Sequence, residues 1–203
     1  QWNLITIFNK MIEARLWWFS NHSDWEREVN DYYATEWKAV EWLLKLEAFN
    51  NKVREPACWE WHISKYLIEQ WYDVYSSDLI DRWYWEVRDF LECEYNRELT
   101  PHSPLLWRDI ITNPPYKIAD RFIQHWLKCL EEQWKMALFL PIRYLEWKAR
   151  KKIFQEYPPK KIRVSSSRIK CAMNWDFDSI KSGVICYAWF VWVKGYKWET
   201  SLW

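Results

Sequence analysis

Short apolar runs alternate with amphipathic segments through the middle of this chain, which restricts the fold to a largely parallel sheet joined by helical crossovers. Helical spacing spans 36–49, 62–70, 118–130 and 145–157. In the first of these, Ala39, Val40, Leu43, Leu44 and Leu46 recur at that spacing while Lys38, Glu41, Lys45 and Glu47 fall between them. This is the pattern of a helix with one buried face. Strand-like runs occupy 52–56, 73–77 (ending at Asp78), 109–112, 135–140, 162–165 and 184–193, with a shorter segment at 87–91. The polar stretch 92–107 carries Pro101 and Pro104 and reads as a surface connection. Pro158-Pro159 end the fourth helix, because proline disfavours helical geometry in the residue before it, and 166–182 is expected to be a loop.

A chain of 203 residues suits one α/β domain. We assign that domain to 31–203 and leave 1–30, with helical spacing around Ile7, Met11, Ile12 and Leu16, as a helix-and-loop extension. The net charge of +1 neither demands nor excludes a polyanionic partner, so any nucleic-acid surface must be local. The five cysteines are scattered without a C-x-x-C pair, and the four histidines lack metal-ligand spacing, so neither a disulfide framework nor a metal is expected. Lys10, Glu13 and Arg15 interrupt the apolar start, and the longest apolar run, 183–193, is too short to span a bilayer. A cytoplasmic protein without membrane attachment is the expectation.

The sharpest chemical signal is Asp109-Ile110-Ile111-Thr112-Asn113-Pro114-Pro115-Tyr116. A strand that ends in Asn-Pro-Pro-aromatic delivers an amide, a rigid turn and a ring to the edge of the sheet where open α/β folds bind ligands. An exocyclic amine on a purine is a poor nucleophile, because its lone pair is delocalised into the ring. If the Asn113 side-chain oxygen and the Pro114 carbonyl both accept its hydrogens, the nitrogen pyramidalises and can attack a sulfonium methyl group. Pro114 and Pro115 hold those acceptors still, and Tyr116 is placed to stack on a base turned out of its duplex. An ordinary Asn-Pro turn with an incidental tyrosine shares the tetrapeptide, so the surrounding motifs decide between the readings.

Those motifs resemble the small, phage-type DNA adenine N6-methyltransferases, over nearly everything from Asp31 to Lys197. Glu55-Pro56-Ala57-Cys58-Trp59-Glu60-Trp61 is similar to the family's cofactor loop, Glu-Pro-Ala-Cys-Gly-x-Gly, with tryptophan at both glycines. Asp31-Tyr32-Tyr33-Ala34-Thr35, Tyr157-Pro158-Pro159-Lys160, Ser167-Arg168-Ile169 and Tyr187-Ala188-Trp189-Phe190-Val191-Trp192 match in order and spacing. The resemblance implies a Rossmann-like class I fold: seven strands, mostly parallel, the last antiparallel, with helices on both faces. It implies S-adenosylmethionine as cofactor and a flipped adenine in double-stranded DNA as substrate, with no metal. By the same resemblance Tyr33, Thr35, Glu55, Pro56, Ala57, Cys58 and Trp59 lie along the cofactor, Asp78 accepts from its ribose hydroxyls, and Asp89 and Phe90 hold its adenine. Asp78 and Asp89 read in isolation are equally compatible with solvated acids at strand ends. The Pro-Pro that follows Thr35 in the family is Glu36-Trp37 here.

The chain has 20 tryptophans and 2 glycines, where ordinary usage of about 7% would give roughly fourteen glycines. Trp59, Trp61, Trp71, Trp83, Trp85, Trp134, Trp147 and Trp175 stand where the resemblance, or plain turn chemistry, asks for glycine. One rule accounts for both counts: a gene that uses UGA for glycine, translated as though UGA encoded tryptophan. The competing readings are that Trp59 and Trp61 are genuine and fill the cofactor loop of a relic, or that the aromatics serve single-stranded bases in a binding protein.

On the substrate side, Lys148, Arg150, Lys151, Lys152, Lys160, Lys161, Arg163, Arg168 and Lys170 form a basic stretch suited to a phosphate backbone or, equally, to a solvated helix face. Arg168 and Asn174, in the 166–182 loop, suit base edges. RNA adenine and a protein glutamine amide also present a planar NH2 and stand as alternative acceptors; the Glu55-Pro56-Ala57-Cys58 loop argues against the glutamine enzymes.

Overall fold

Neighbouring side chains on a strand point to opposite faces of the sheet, and here both faces are apolar. Ile110, Met136, Leu138, Leu140, Ala188, Phe190 and Trp192 belong to one buried cluster, whereas Val53, Ile111, Ala137, Phe139, Trp189 and Val191 belong to another. A sheet covered on both sides is the outcome, each large side chain taken from water contributing roughly 1.5–3 kcal/mol. The computed structural model describes residues 34–81, 86–92, 109–129, 132–146, 148–165, 169, 171–172 and 185–202. The 1–30 extension, Tyr33, Arg168, Asn174 and four of the glycine-like tryptophans (Trp83, Trp85, Trp147 and Trp175) lie outside the described residues.

The described strands are β1 (Ala34–Thr35), β2 (Lys52–Glu55), β3 (Asp73–Asp78), β4 (Glu86–Val87), β5 (Asp109–Thr112), β6 (Lys135–Pro141), β7 (Lys161–Val164), β8 (Cys171–Ala172), β9 (Tyr187–Val193) and β10 (Ser201–Leu202). The helices are α1 (Trp37–Leu46), α2 (His62–Glu69), α3 (Ala119–Cys129) and α4 (Lys151–Glu156). Ala39, Val40 and Leu43 of α1 and Ile63 and Leu67 of α2 pack on one face of the sheet. Ala119, Phe122, Ile123 and Trp126 of α3 and Ile153 of α4 pack on the other.

The main sheet runs β10-β7-β9-β6-β5-β2-β3-β4. Pairing is parallel from β6 through β5, β2 and β3 to β4. β9 lies between β6 and β7, antiparallel to both, so the expected antiparallel close of the sheet is present. From β2 the chain moves outward to β3 and β4, then returns to β5 and moves the other way to β6. This reversal leaves a crevice at the carboxyl ends of β2 and β5, where open α/β sheets take their ligands.

Four expectations are corrected. The main sheet has eight strands, because β10 adds in parallel to β7 through Ser201↔Lys161 and Leu202↔Ile162. The 166–182 stretch contributes β8, which pairs antiparallel with β1 in a separate ribbon. The helix expected over 145–157 is broken into 3-10 turns (Ile142–Glu146, Lys148–Arg150) before α4. Tertiary contacts override helical spacing there: Arg150 lies over the Tyr144 ring at 3.6 Å, donates to the Tyr144 carbonyl and pairs with Asp120 of α3. Similarly, 87–91 divides into β4 and a 3-10 turn, Phe90–Glu92.

Candidate active site

The loop between β2 and α2 is built from its own backbone amides. Ser64 at the start of α2 donates its amide (2.7 Å) and its hydroxyl to Glu55 Oε2, which closes the loop at its base. Burial pushes the Glu55 carboxyl well above the ordinary carboxylate range, against the Ser64 hydrogen bonds and with help from the Asp78 charge. Trp61 N donates to the Cys58 carbonyl at 2.7 Å, and Cys58 N to the Ser77 carbonyl at 3.2 Å. Burial, then the Glu55 and Asp78 charges, drive the Cys58 thiol strongly up. Cys58 is thus a buried thiol under the loop, and Glu55 is the loop's brace.

Asp78, at the end of β3, accepts from Trp59 N at 2.8 Å through Oδ2 and from Ile80 N at 3.1 Å through Oδ1. Each carboxylate oxygen carries a second lone pair, so both oxygens retain capacity for a further donor. Asp89 ties its own turn by accepting from Leu91 N at 2.8 Å. Phe90 is buried, stacked on Phe122 of α3 with ring centres 4.8 Å apart.

Asn113 follows β5 and is 9% exposed. Its Nδ2 donates to Thr35 Oγ1 at 3.0 Å, which leaves Oδ1 as the accepting end of the amide. Tyr116 stands beside Tyr187, ring centres 6.2 Å apart, and packs against both core clusters.

These elements close around one cavity of about 300 Å³. Pro56, Ala57 and Trp59 line it from the β2 loop, Asp78 from β3, Asp89 and Phe90 from beyond β4, and Asn113, Pro114 and Pro115 from β5. Of the candidates nominated from sequence, Pro56, Ala57, Trp59, Asp78, Asp89, Phe90, Asn113, Pro114 and Pro115 thus meet in one place, whereas Thr35 and Tyr116 are not among the lining residues. Glu55 and Cys58 lie beneath the loop, while Lys151 and Lys152 are exposed on α4 and are not among the residues that line the cavity. The apolar lining from Leu79, Ile80, Ile118 and Phe122, and the cations Arg88, Lys117 and Arg121, were not anticipated. Only the helical spacing of Ile118 and Phe122 hinted at them.

Backbone geometry separates the tryptophans. Trp59, Trp61 and Trp71 hold φ of 45°, 70° and 68°, the left-handed region that suits glycine and strains a residue with a Cβ. Trp71 occupies the position after the α2 cap: its amide donates to the Ile68 carbonyl and that of Tyr72 to the Leu67 carbonyl, a Schellman turn in which glycine is the usual occupant. At Trp134 the expectation fails, because the left-handed residue of that turn is the preceding Gln133, φ 74°. Trp189 and Trp192 are different: both are buried, and their indole N–H groups donate to the Ala39 and Tyr157 carbonyls at 2.9 and 3.0 Å. Trp126 is buried with no hydrogen-bond partner for its Nε1 among the described residues.

Among the described residues there is no cluster of metal-ligating side chains, and no helix is long and apolar enough to cross a membrane. No family model and no curated protein sequence matches the chain. Solved structures do. One, provisionally described as a class I S-adenosylmethionine-dependent methyltransferase from Listeria monocytogenes, superposes with a TM-score of 0.56 at 14% identity over 95% of this chain and 71% of its own. Another, provisionally described as an RNA methyltransferase from Pyrococcus horikoshii, gives 0.53 at 12% over 87% and 91%. The modification subunit of a provisionally described type I restriction enzyme from Vibrio vulnificus gives 0.54 at 11% over 98% and 51%, so the chain spans about half of that protein. At such identities the likeness establishes the fold: this is a Rossmann-like methyltransferase fold with a mostly parallel sheet.

Proposed function

We propose that this chain transfers the methyl group of S-adenosylmethionine to N6 of an adenine in DNA, the base being turned out of its duplex into the cavity. One observation carries the reading: Asn113 and Pro114, at the end of β5, line the same cavity as Asp78, Asp89 and Phe90. When bound, the cofactor supplies a methyl group made electrophilic by its sulfonium centre. Asp78 suits the ribose hydroxyls and Asp89 the adenine amine, both as acceptors, while Phe90 offers the adenine an apolar wall. The Asn113 Oδ1 and Pro114 carbonyl accept the two N6 hydrogens and localise the lone pair, at a site where burial strengthens each bond. The N6–carbon bond forms as the carbon–sulfur bond breaks, and one N6 proton passes to water.

Trp59 is where the chain and the cofactor disagree, because it lines the cavity at a position where glycine would leave more room. The left-handed backbone at Trp59 and Trp61 supports glycine at both positions in the working protein. The exposed lysines of α4, Lys151 and Lys152, and the neighbouring Lys148 suit the phosphate backbone, with Arg168 and Asn174 assigned to base edges. The full chain carrying Trp59→Gly and Trp61→Gly, given cofactor labelled in its methyl group, tests the acceptor. Label in duplex DNA is expected. Label confined to RNA, or to a release factor through a glutamine amide, would replace DNA by that acceptor.

A further inference from the structure

Arg54 is a charged residue within the sheet that the chemistry above leaves unused. It is 1% exposed and lies on β2 in register with Tyr75 on β3 and Ile110 on β5. Neither periodicity nor any motif singled it out, since an arginine in a central strand reads from sequence as an outward-facing residue.

An arginine keeps its charge at any pH a protein meets, so withdrawing it from water requires compensation from its surroundings. Two aromatic faces supply part of it. The guanidinium carbon stands 5.5 Å from the centre of the Tyr75 ring and 5.2 Å from that of Phe90, within the range of attraction between a cation and a ring face. Glu86 of β4 supplies an opposing charge. Burial acts against that carboxylate, but the hydrogen bonds of Tyr75 and Arg88 and the charges of Arg88 and Arg54 outweigh it and hold the group below its ordinary value. The Tyr75 hydroxyl donates to Glu86, so ring, carboxylate and guanidinium form one assembly.

This assembly lies against the cavity. Phe90 and Asp89 both line it, directly after β4. We propose that Arg54 is a positioning residue for the adenosine end of the cofactor, holding the Phe90 ring through its face and β4 through Glu86, so that Asp89 and Phe90 stay in place against the adenine. The role rests on the cofactor reading above.

The test measures S-adenosylhomocysteine and adenosine binding by calorimetry, and cofactor KM and kcat, in the full chain with and without Trp59→Gly and Trp61→Gly. Arg54→Met removes the charge and keeps much of the volume. It is expected to weaken both ligands by the same factor, about tenfold, raise the cofactor KM likewise and leave kcat at saturation unchanged. Phe90→Leu should lose a similar factor, with Arg54→Met adding little on top of it, and Arg54→Lys should recover most of the affinity. Unchanged binding by Arg54→Met overturns the proposal, and so does a lower melting temperature with no change in the KM to kcat split. Should Arg54→Met fail to fold, Arg54→Gln is measured in its place against the same outcomes. A parent chain carrying Trp59→Gly and Trp61→Gly that binds neither ligand overturns the cofactor reading itself and this role with it. A parent that binds while Arg54→Met binds equally overturns this role alone.

Discussion

The Thr35 hydroxyl accepts a hydrogen bond from the Asn113 side-chain amide at 3.0 Å, joining residues 78 positions apart in the chain. Both are buried, so the bond fixes which end of the amide faces an incoming amine. Thr35 was nominated from sequence as a cofactor residue, but this contact couples it to the acceptor side. Thr35→Val, which keeps the shape and removes the hydroxyl, is expected to lower kcat about tenfold, the worth of one good hydrogen bond, with cofactor KM unchanged. Thr35→Ser should restore the rate. A raised cofactor KM at normal kcat would return Thr35 to the cofactor.

The left-handed tryptophans make a stability prediction separate from activity. Trp71 is 89% exposed, so its indole gains little from packing while its backbone carries the strain. Trp71→Gly should stabilise the fold by about 1 kcal/mol, or about 2–4 °C in Tm for a chain of this size. Trp189→Gly should do the reverse, because it empties a core site and breaks the bond to the Ala39 carbonyl. At the level of the gene, UGA codons are expected at 59, 61 and 71 and UGG at 189 and 192; UGG at both 59 and 61 would refute the recoding account.

His62, at the start of α2, is pushed down to about 4, chiefly by burial and secondarily by the Lys65 charge. The folded state resists taking up a proton that the unfolded chain accepts near pH 6.5. Its contribution to stability is therefore complete above that value and is lost as pH falls from there toward about 4. Urea midpoints at pH 7.5 and pH 5 should fall further in the parent than in His62→Asn. Equal losses would remove His62 as the cause.

Cys58 and Cys186 differ in their expected reactivity. Cys58 is buried, and its thiol is driven up by burial first and by the Glu55 and Asp78 charges next. Cys186 is partly exposed. Because the thiolate is the reacting form, iodoacetamide at pH 8 should label the peptide containing Cys186 well before that containing Cys58. Labelling of Cys58 at an equal rate would mean that the β2 loop opens readily.

The extent to which these features are legible in the sequence follows from how local their causes are. β5 and β3 match their expected bounds because each is a short run closed by a strong stop, Asn113-Pro114 in one case and Asp78 in the other. The antiparallel β9 likewise declares itself by an unbroken apolar run. β1, β8 and β10 are two residues each, too short for any period, and exist only through their partners. Only 151–156 of the expected 145–157 helix is α-helical, because Tyr144, Arg150 and Asp120 satisfy one another across elements, which helical spacing cannot register. In the site, the loops and acids were legible as motifs. Arg54 and the bond between Thr35 and Asn113 were not, since each depends on which strands become neighbours.

The central claim is that Asn113 presents an adenine N6 to the cofactor's methyl group. The direct measurement is nucleoside mass spectrometry of duplex DNA after incubation with cofactor and the full chain carrying Trp59→Gly and Trp61→Gly, beside the same chain with Asn113→Ala. The expected result is N6-methyladenine from the first and none from the second, with S-adenosylhomocysteine binding equal in both. Methylated adenine at equal yield from both chains, or none in DNA from a chain that binds the cofactor, would contradict it.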